Sequence, residues 1–240
     1  MWYWLFKFIF MGPLLSLLGR PKVEGLEHIP DSGPAILASN HLAVADSFYL
    51  PLVVRRRITF LAKAEYFTGT GLKGWFKRWF FTVAGQVPID RSNADAAQAA
   101  LETAKRILDQ GKLLGMYPEG TRSPDGRLYK GKTGLARLAL ETGVPVIPVA
   151  MIGTNVVNPP GSKMWRFGSV TVRIGAPLDF SRFDGLAGNR FIERAVTDEV
   201  MYELMELSGQ EYVDLYAADV KERNEAAAQP PARLPDRAAG

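Results

Sequence analysis

Apolar positions along the chain follow two rhythms. Unbroken runs at "AILAS" (35–39), "ITFLAK" (58–63), "KLLGMY" (112–117) and "VPVIPVAMIG" (144–153) predict short buried strands. The prolines of the last run favour a sheet edge or a strand end, because proline cannot donate to the ladder. "VTVRIG" (170–175) alternates in polarity and predicts a half-buried strand. Between these lie helical patterns. "DSFYLPLVV" (46–54) and "GWFKRWFFTV" (74–83) are rich in apolar residues, and 93–110 is the clearest amphipathic helix, with Asn93 to cap it and Gly111 to stop it. Helices are also predicted over 134–143, 189–207 and 210–223, while "PEGTRSPDGR" (118–127) is dense in turn residues. No internal repeat is visible. Strands alternating with helices predict an α/β fold over residues 20–223, a single domain whose largely parallel mixed sheet is flanked by helices. Residues 224–240 have the composition of a disordered tail.

The first 22 residues, "MWYWLFKFIFMGPLLSLLGRPK", are the most hydrophobic stretch. A cleaved signal would carry positive charge before its apolar core and small residues after it, and neither is present. A spanning helix needs about 20 apolar residues, and Lys7, Gly12 and Pro13 interrupt the run. Residues 1–19 therefore read as a membrane-interface helix lying in one leaflet, with Trp2, Tyr3 and Trp4 at the headgroup level and Lys7 snorkelling outward. The alternatives are a true span and, more plainly, a helix packed on the protein's own core. Arg20 and Lys22 follow the segment, which places the domain on the cytoplasmic face of the cell membrane, as a peripheral or monotopic protein. Seven basic residues against Glu65 between Leu52 and Phe80, interleaved with Phe67, Trp75, Phe76 and Trp79, suit a second membrane-facing surface or a core helix with a cationic rim.

Charge and cysteine content narrow the function classes. The net charge of +4 is unevenly spread: from Ser181 onward there are 12 acidic and 7 basic residues, so the chain before it carries an excess of 9 positive charges. A basic front part points to an anionic surface or substrate. Cysteine is absent, which removes disulfides, thiolate metal sites and a cysteine nucleophile together. The two histidines, His28 and His41, lie far apart in sequence, and His28 reads as an exposed loop residue, so no metal site is expected.

His41 follows the strand "AILAS", and Asp46 lies five residues beyond it. Inside one regular helix, positions five apart are about 140° round from each other. The two can meet only if His41 stands before a helix and Asp46 comes from its first turn. The carboxylate then orients one imidazole nitrogen and leaves the other as a base, the orienting half of a serine-protease triad without its serine. Spacing alone is also served by a helix-entry histidine beside a solvated acid. Arg122, after a Pro-Glu-Gly turn, opens a segment to Arg137 with five basic residues and one acid, Asp125. A guanidinium there offers a bidentate match to phosphate, although a solvated charged loop has the same composition.

The order of motifs separates these readings. "NHLAVAD" (40–46), "GQVPIDR" (85–91), "YPEGTRS" (117–123) and "VPVIPVA" (144–150) follow one another, and the chain resembles the glycerolipid acyltransferase family, the 1-acylglycerol-3-phosphate acyltransferases, from about Val23 to Pro177. The resemblance implies that His41 is the general base and Asp46 its orienter. It implies that Arg91, Glu119, Gly120, Thr121 and Arg122 bind the phosphate of the acceptor. Ala43 stands where members often carry serine, and Tyr117 replaces the usual phenylalanine. The implied reaction moves a fatty acyl group from acyl-CoA or acyl carrier protein to the free hydroxyl of lysophosphatidic acid, giving phosphatidic acid, with membrane lipids as surroundings, no other cofactor and no nucleic-acid partner. Glycerol 3-phosphate or another lysolipid is the alternative acceptor. An esterase and a non-enzymatic membrane- or RNA-binding module are weaker readings, and no Gly-x-Ser-x-Gly nucleophile turn is present.

Overall fold

A computed structural model describes residues 4, 6–83, 85–89, 94–162 and 164–228. A π-helical turn (Phe6–Met11) leads into α1 (Gly12–Gly19), and the edge strand β1 (Lys22–Glu24) follows. Then come β2 (Ala35–Ser39), α2 (Asp46–Val53), β3 (Ile58–Lys63), α3 (Gly71–Val83), β4 (Gln86–Ile89), α4 (Ala94–Asp109) and β5 (Leu113–Met116). The second half holds β6 (Leu128–Tyr129), α5 (Gly134–Thr142), β7 (Val146–Ile152), α6 (Thr154–Val157), β8 (Thr171–Ile174), α7 (Arg190–Ser208), β9 (Tyr212–Val213) and α8 (Ala217–Ala228).

Among the described residues seven strands form one sheet, in the order β1-β8-β7-β2-β5-β3-β4. All neighbours are parallel except β7 and β8, so the sheet is mixed and largely parallel, as the alternating elements predicted. β2 and β5 are covered on both faces, which is why their sequences are continuous apolar runs without alternation. Leu37, Phe60 and Val149 face a cluster with Leu15, Tyr49 and Leu50 from α1 and α2. Ile36, Leu114 and Val146 face the other cluster, built with Leu108, Leu138 and Val200 of α4, α5 and α7. β6 and β9 pair in parallel as a small second sheet.

Several expectations change. Pro148 sits in β7, an inner strand of the sheet and not an edge. Its carbonyl accepts from Gly175 N–H at 2.8 Å, just past the end of β8, so the bond that proline cannot donate falls where the β7–β8 ladder stops. The predicted helix over 210–223 starts only at Ala217, because Tyr212 and Val213 pair with β6. It continues to Ala228, past the proposed start of the tail, and residues 229–240 lie outside those described. Asn93, the expected cap of α4, is also outside them. His28 is not an exposed loop residue: it is half-buried at the end of a 3-10 turn (Leu26–His28), with its Nδ1 2.8 Å from the Ile174 carbonyl.

The N-terminal segment packs on the core along one face. Leu15 is buried, and its carbonyl accepts from the Tyr49 hydroxyl at 3.0 Å. Lys7 does not snorkel outward. Its ammonium donates to the Val54 carbonyl and lies 5.1 Å from the Trp4 ring centre, and burial lowers its pKa to about 8. The other face stays bare: Ile9, Leu14 and Leu17 are exposed. Among the described residues no helix is long and apolar enough to cross a membrane.

Candidate active site

The neighbouring strands β2 and β5 run in parallel and end at Ser39 and Met116, so "NH" and "YPEGTR" emerge side by side at their carboxyl ends, where open α/β sheets place ligands. Asn40 fixes the first exit. Its side-chain carbonyl accepts from Met151 N–H at 2.7 Å and its amide donates to the Met151 carbonyl at 3.0 Å, extending the β2–β7 pairing by one residue.

His41 stands before α2, and Asp46 is the first residue of that helix. The tight turn between them brings His41 Nδ1 to 2.8 Å from Asp46 Oδ2. The same oxygen accepts from Leu42 N–H at 2.7 Å and Ala43 N–H at 2.9 Å, so Ala43 serves the carboxylate through its backbone. Asp46 is fully buried and His41 keeps 16% of its side chain exposed. A carboxylate accepts, so Nδ1 carries the proton and Nε2 presents a lone pair. Asp46 Oδ1 is buried without a hydrogen-bond partner among the described residues.

Tyr117 forms a wall for the imidazole. The rings stack with centres 3.8 Å apart and planes inclined by 11°, and the Tyr117 hydroxyl lies 2.9 Å from Ser47 Oγ. Ser47 follows Asp46 in α2, so tyrosine in place of phenylalanine adds an anchor to the helix that carries the orienter. Burial, with the Asp46 charge nearby, raises the pKa of this hydroxyl and keeps it a neutral donor or acceptor. Phe60 lies beyond Tyr117 with its ring centre 5.7 Å away. Gly115 is required beneath, since a Cβ there would come within 2.3 Å of the Phe60 ring.

Glu119 is a brace. It is buried, with Oε1 accepting from His41 N–H at 2.9 Å and Oε2 from Tyr129 N–H at 3.0 Å. Each carboxylate oxygen thus holds a backbone N–H, and no hydrogen bond joins Glu119 to Arg122 among the described residues. Ser123 N–H donates to the His41 carbonyl at 2.7 Å, so the third motif is bonded to both the N–H and the carbonyl of His41. Gly120 N–H closes a turn on the Tyr117 carbonyl at 3.0 Å, and the chain leaves that turn at a φ of +75°, a conformation that favours glycine.

Burial pushes the Glu119 carboxyl up to about 7, against the two N–H groups that favour its ionised form. A folded-state pKa above the unfolded value means the folded protein holds the extra proton between pH 4.5 and about 7. Stability therefore falls as pH rises through that window and is flat above it. Glu119→Gln should remove this dependence, a difference of roughly 3 kcal/mol in slope-integrated stability between wild type and variant. It should also cost activity, since an amide turns an N–H toward one of the two N–H donors. Urea unfolding at a series of pH values checks this, and parallel curves for the two proteins would contradict it.

Of the other expected acceptor residues, Thr121 and Arg122 lie on the loop, with Arg122 exposed. Arg91 lies outside the described residues. Two cations outside the residues that the resemblance implies join the loop. The Lys132 side chain runs over Gly120, where a Cβ would come within 3.1 Å of its Cε. Lys221 of α8 donates to Thr121 Oγ1 at 2.9 Å. Lys132 could have been suspected from the basic run that contains it. Lys221 gave no such signal, lying in the acidic C-terminal part a hundred residues beyond its partner.

The profile of the family described as Acyltransferase matches residues 20–152. The chain is similar to the chloroplastic 1-acyl-sn-glycerol-3-phosphate acyltransferase of Arabidopsis thaliana, at 34% identity over 167 residues that cover 69% of this chain and 45% of that protein. It is similar to the 1-acyl-sn-glycerol-3-phosphate acyltransferase alpha of Homo sapiens, at 30% over 162 residues, covering 66% of this chain and 55% of the human protein. The chain thus spans about half the length of these curated relatives. The crystal structure of the 1-acyl-sn-glycerophosphate (LPA) acyltransferase from Thermotoga maritima superposes with a TM-score of 0.58 at 30% identity, covering 80% of this chain and 76% of that one.

Proposed function

The chain belongs to the acyltransferase family, and from that membership we propose that it transfers a fatty acyl group from a thioester to the free hydroxyl of 1-acylglycerol 3-phosphate, giving phosphatidic acid. The observation that carries the reading is the His41–Asp46 pair, tied through the His41 backbone to a loop that presents Arg122. His41 Nε2 takes the proton of the acceptor hydroxyl as its oxygen attacks the thioester carbonyl. The C–O bond forms, the C–S bond breaks, and the imidazolium returns the proton to the departing thiolate. Asp46 holds the ring and stabilises its transient charge. The donor is acyl-CoA or acyl carrier protein, and no further cofactor is needed because the thioester supplies the driving force.

Incubating the purified protein with both labelled donors and a panel of 1-acylglycerol 3-phosphate, glycerol 3-phosphate and lysophosphatidylcholine tests this. Phosphatidic acid as the dominant labelled product is expected. A dominant product from another acceptor would reassign the substrate, and free fatty acid released regardless of acceptor would make the protein a hydrolase.

The acceptor's acyl chain lives in a bilayer, so the site works at a membrane surface in this reading, and Arg20 and Lys22 after the N-terminal segment favour the cytoplasmic side, with the protein peripheral or monotopic. The bare face of α1, with Leu14 and Leu17, supports this reading, as do exposed Met164 and Phe167 on the neighbouring loop. The two are adjacent because Gly168 N–H donates to the Leu18 carbonyl at 2.9 Å. Arg20 and Lys22 line a groove beside Phe167 and suit anionic headgroups. Deleting the segment would also strip Leu15 from the core, so charge substitution is the cleaner probe. Burying one such side chain contributes about 1.5–3 kcal/mol. Leu17→Glu with Phe167→Glu should therefore weaken vesicle co-sedimentation at least tenfold and lower activity on vesicle-embedded acceptor, while activity on a short-chain soluble acceptor changes little. Unchanged co-sedimentation would move the membrane contact elsewhere, to the exposed Leu72 and Trp75 of α3 first.

A further inference from the structure

We propose that Lys221, on the C-terminal helix α8, is a phosphate-binding residue of the acceptor site, brought there by the small β6–β9 sheet. The inference rests on the acyl-transfer reading above and adds to it a residue from well outside the family match, which ends at residue 152.

The chain builds the contact in steps. β6 begins soon after the "PEGTRS" loop and pairs in parallel with β9, through Leu128↔Tyr212 and Tyr129↔Val213. Lys130 N–H then donates to the Leu215 carbonyl at 3.0 Å, and its ammonium meets Asp214 at 2.8 Å. Gln210 is held between the Asn40 amide and the Gly126 carbonyl, each at 2.6 Å, which fastens the approach to β9 against both motif loops. Ala217, the first residue of α8, is fully buried. One turn further on, Lys221 reaches Thr121 Oγ1 at 2.9 Å.

The electrostatics of this corner favour an anion. Lys221 is partly buried, and burial followed by repulsion from Arg122 lowers its pKa, with Glu119 and Glu225 opposing the shift. No carboxylate forms an ion pair with Lys221, Arg122 or Lys132 among the described residues. Glu119, the nearest buried acid, is already bonded to two backbone N–H groups. Three cations around one glycine turn repel each other until a dianion joins them. The position also fits the substrate. Only two glycerol carbons separate the reacting hydroxyl from the phosphate ester oxygen of the acceptor, so a phosphate clamp has to lie at the same end of the sheet as the base. The loop that bears Thr121 and Arg122 is bonded to the His41 carbonyl through the next residue, Ser123.

A phosphomonoester could come from the acceptor or from the 3′-phosphate of coenzyme A, and steady-state kinetics separates the two. Lys221→Met keeps the aliphatic stem and removes the charge. It should raise KM for 1-acylglycerol 3-phosphate about tenfold, with kcat and the donor KM near wild type. Lys221→Arg should recover most of the loss, since the charge is kept. On 1-monoacylglycerol, which has no phosphate, Lys221→Met and wild type should coincide. A rise in the acyl-CoA KM alone would overturn the assignment in favour of the donor. Equal losses on acceptors with and without phosphate, or an acceptor KM within twofold of wild type, would also overturn it. Failure of wild type to make phosphatidic acid would instead remove the reading on which the inference rests.

Discussion

His41→Ala is expected to reduce acyl transfer by at least about 10²-fold, the lower end of what a positioned general base contributes. The protein should stay folded. The side chain is partly exposed and faces the open end of the sheet, and the two backbone bonds that fix this residue, from its N–H to Glu119 and from Ser123 to its carbonyl, do not need the imidazole. The loss should fall on kcat, with the KM of the lysolipid nearly unchanged, because the base acts on a proton that moves only in the transition state. Tyr117 will lose its stacking partner but keep its bond to Ser47 and its contact with Phe60. Circular dichroism and thermal unfolding of the variant establish the fold, and phosphatidic acid formation at saturating substrate measures the rate. A folded variant with more than about a tenth of wild-type kcat would exclude base catalysis of this size by His41.

Much of this arrangement could be read from residues in order. Strands at 35–39 and 58–63 match the structure because central parallel strands leave unbroken apolar runs, which few other elements of that length do. The His41–Asp46 contact follows from helix geometry, which forbids it inside one helix and permits it across a helix start. Other features depend on distant pairing and leave no local mark. Pro148 looked like an edge signal because proline's missing donor is a local property, whereas the end of β8 beside it is set by the sheet. Tyr212 and Val213 lay in what read as a helix because their partners are Leu128 and Tyr129. Lys7 looked like a snorkelling cation because nothing nearby reveals that the Val54 carbonyl awaits it. Glu119 shows the same limit in the site itself. A carboxylate in a basic segment can pair with a cation or brace its loop, and only the fold shows that this one holds the backbone N–H groups of His41 and of Tyr129 in β6.

Asp46→Asn carries the second large effect, and the geometry bears on how it arises. In a serine-protease triad the same change traps the wrong histidine tautomer, with a loss of about 10⁴ in kcat. Here the oxygen that meets His41 also accepts from Leu42 and Ala43 N–H, while Oδ1 has no partner among the described residues. Two backbone donors therefore favour the amide oxygen at the Oδ2 position, and the amide nitrogen takes the empty side. That placement keeps Nδ1–H and the lone pair on Nε2, so the ring stays in the base-competent form. What is lost is the negative charge that stabilises the imidazolium formed as the proton is taken, and a buried NH₂ is left without an acceptor. The expected result is a fall in kcat of about 10²–10⁴-fold with His41 still protonated on Nδ1. Nitrogen-15 spectra of the imidazoles can report the tautomer, because the chain has only two histidines and His28 serves as the internal reference. A variant with the proton on Nε2 would show that the tautomer, and not the charge, is what Asp46 supplies. A kcat within tenfold of wild type would reduce Asp46 to a helix-start residue that shapes the turn.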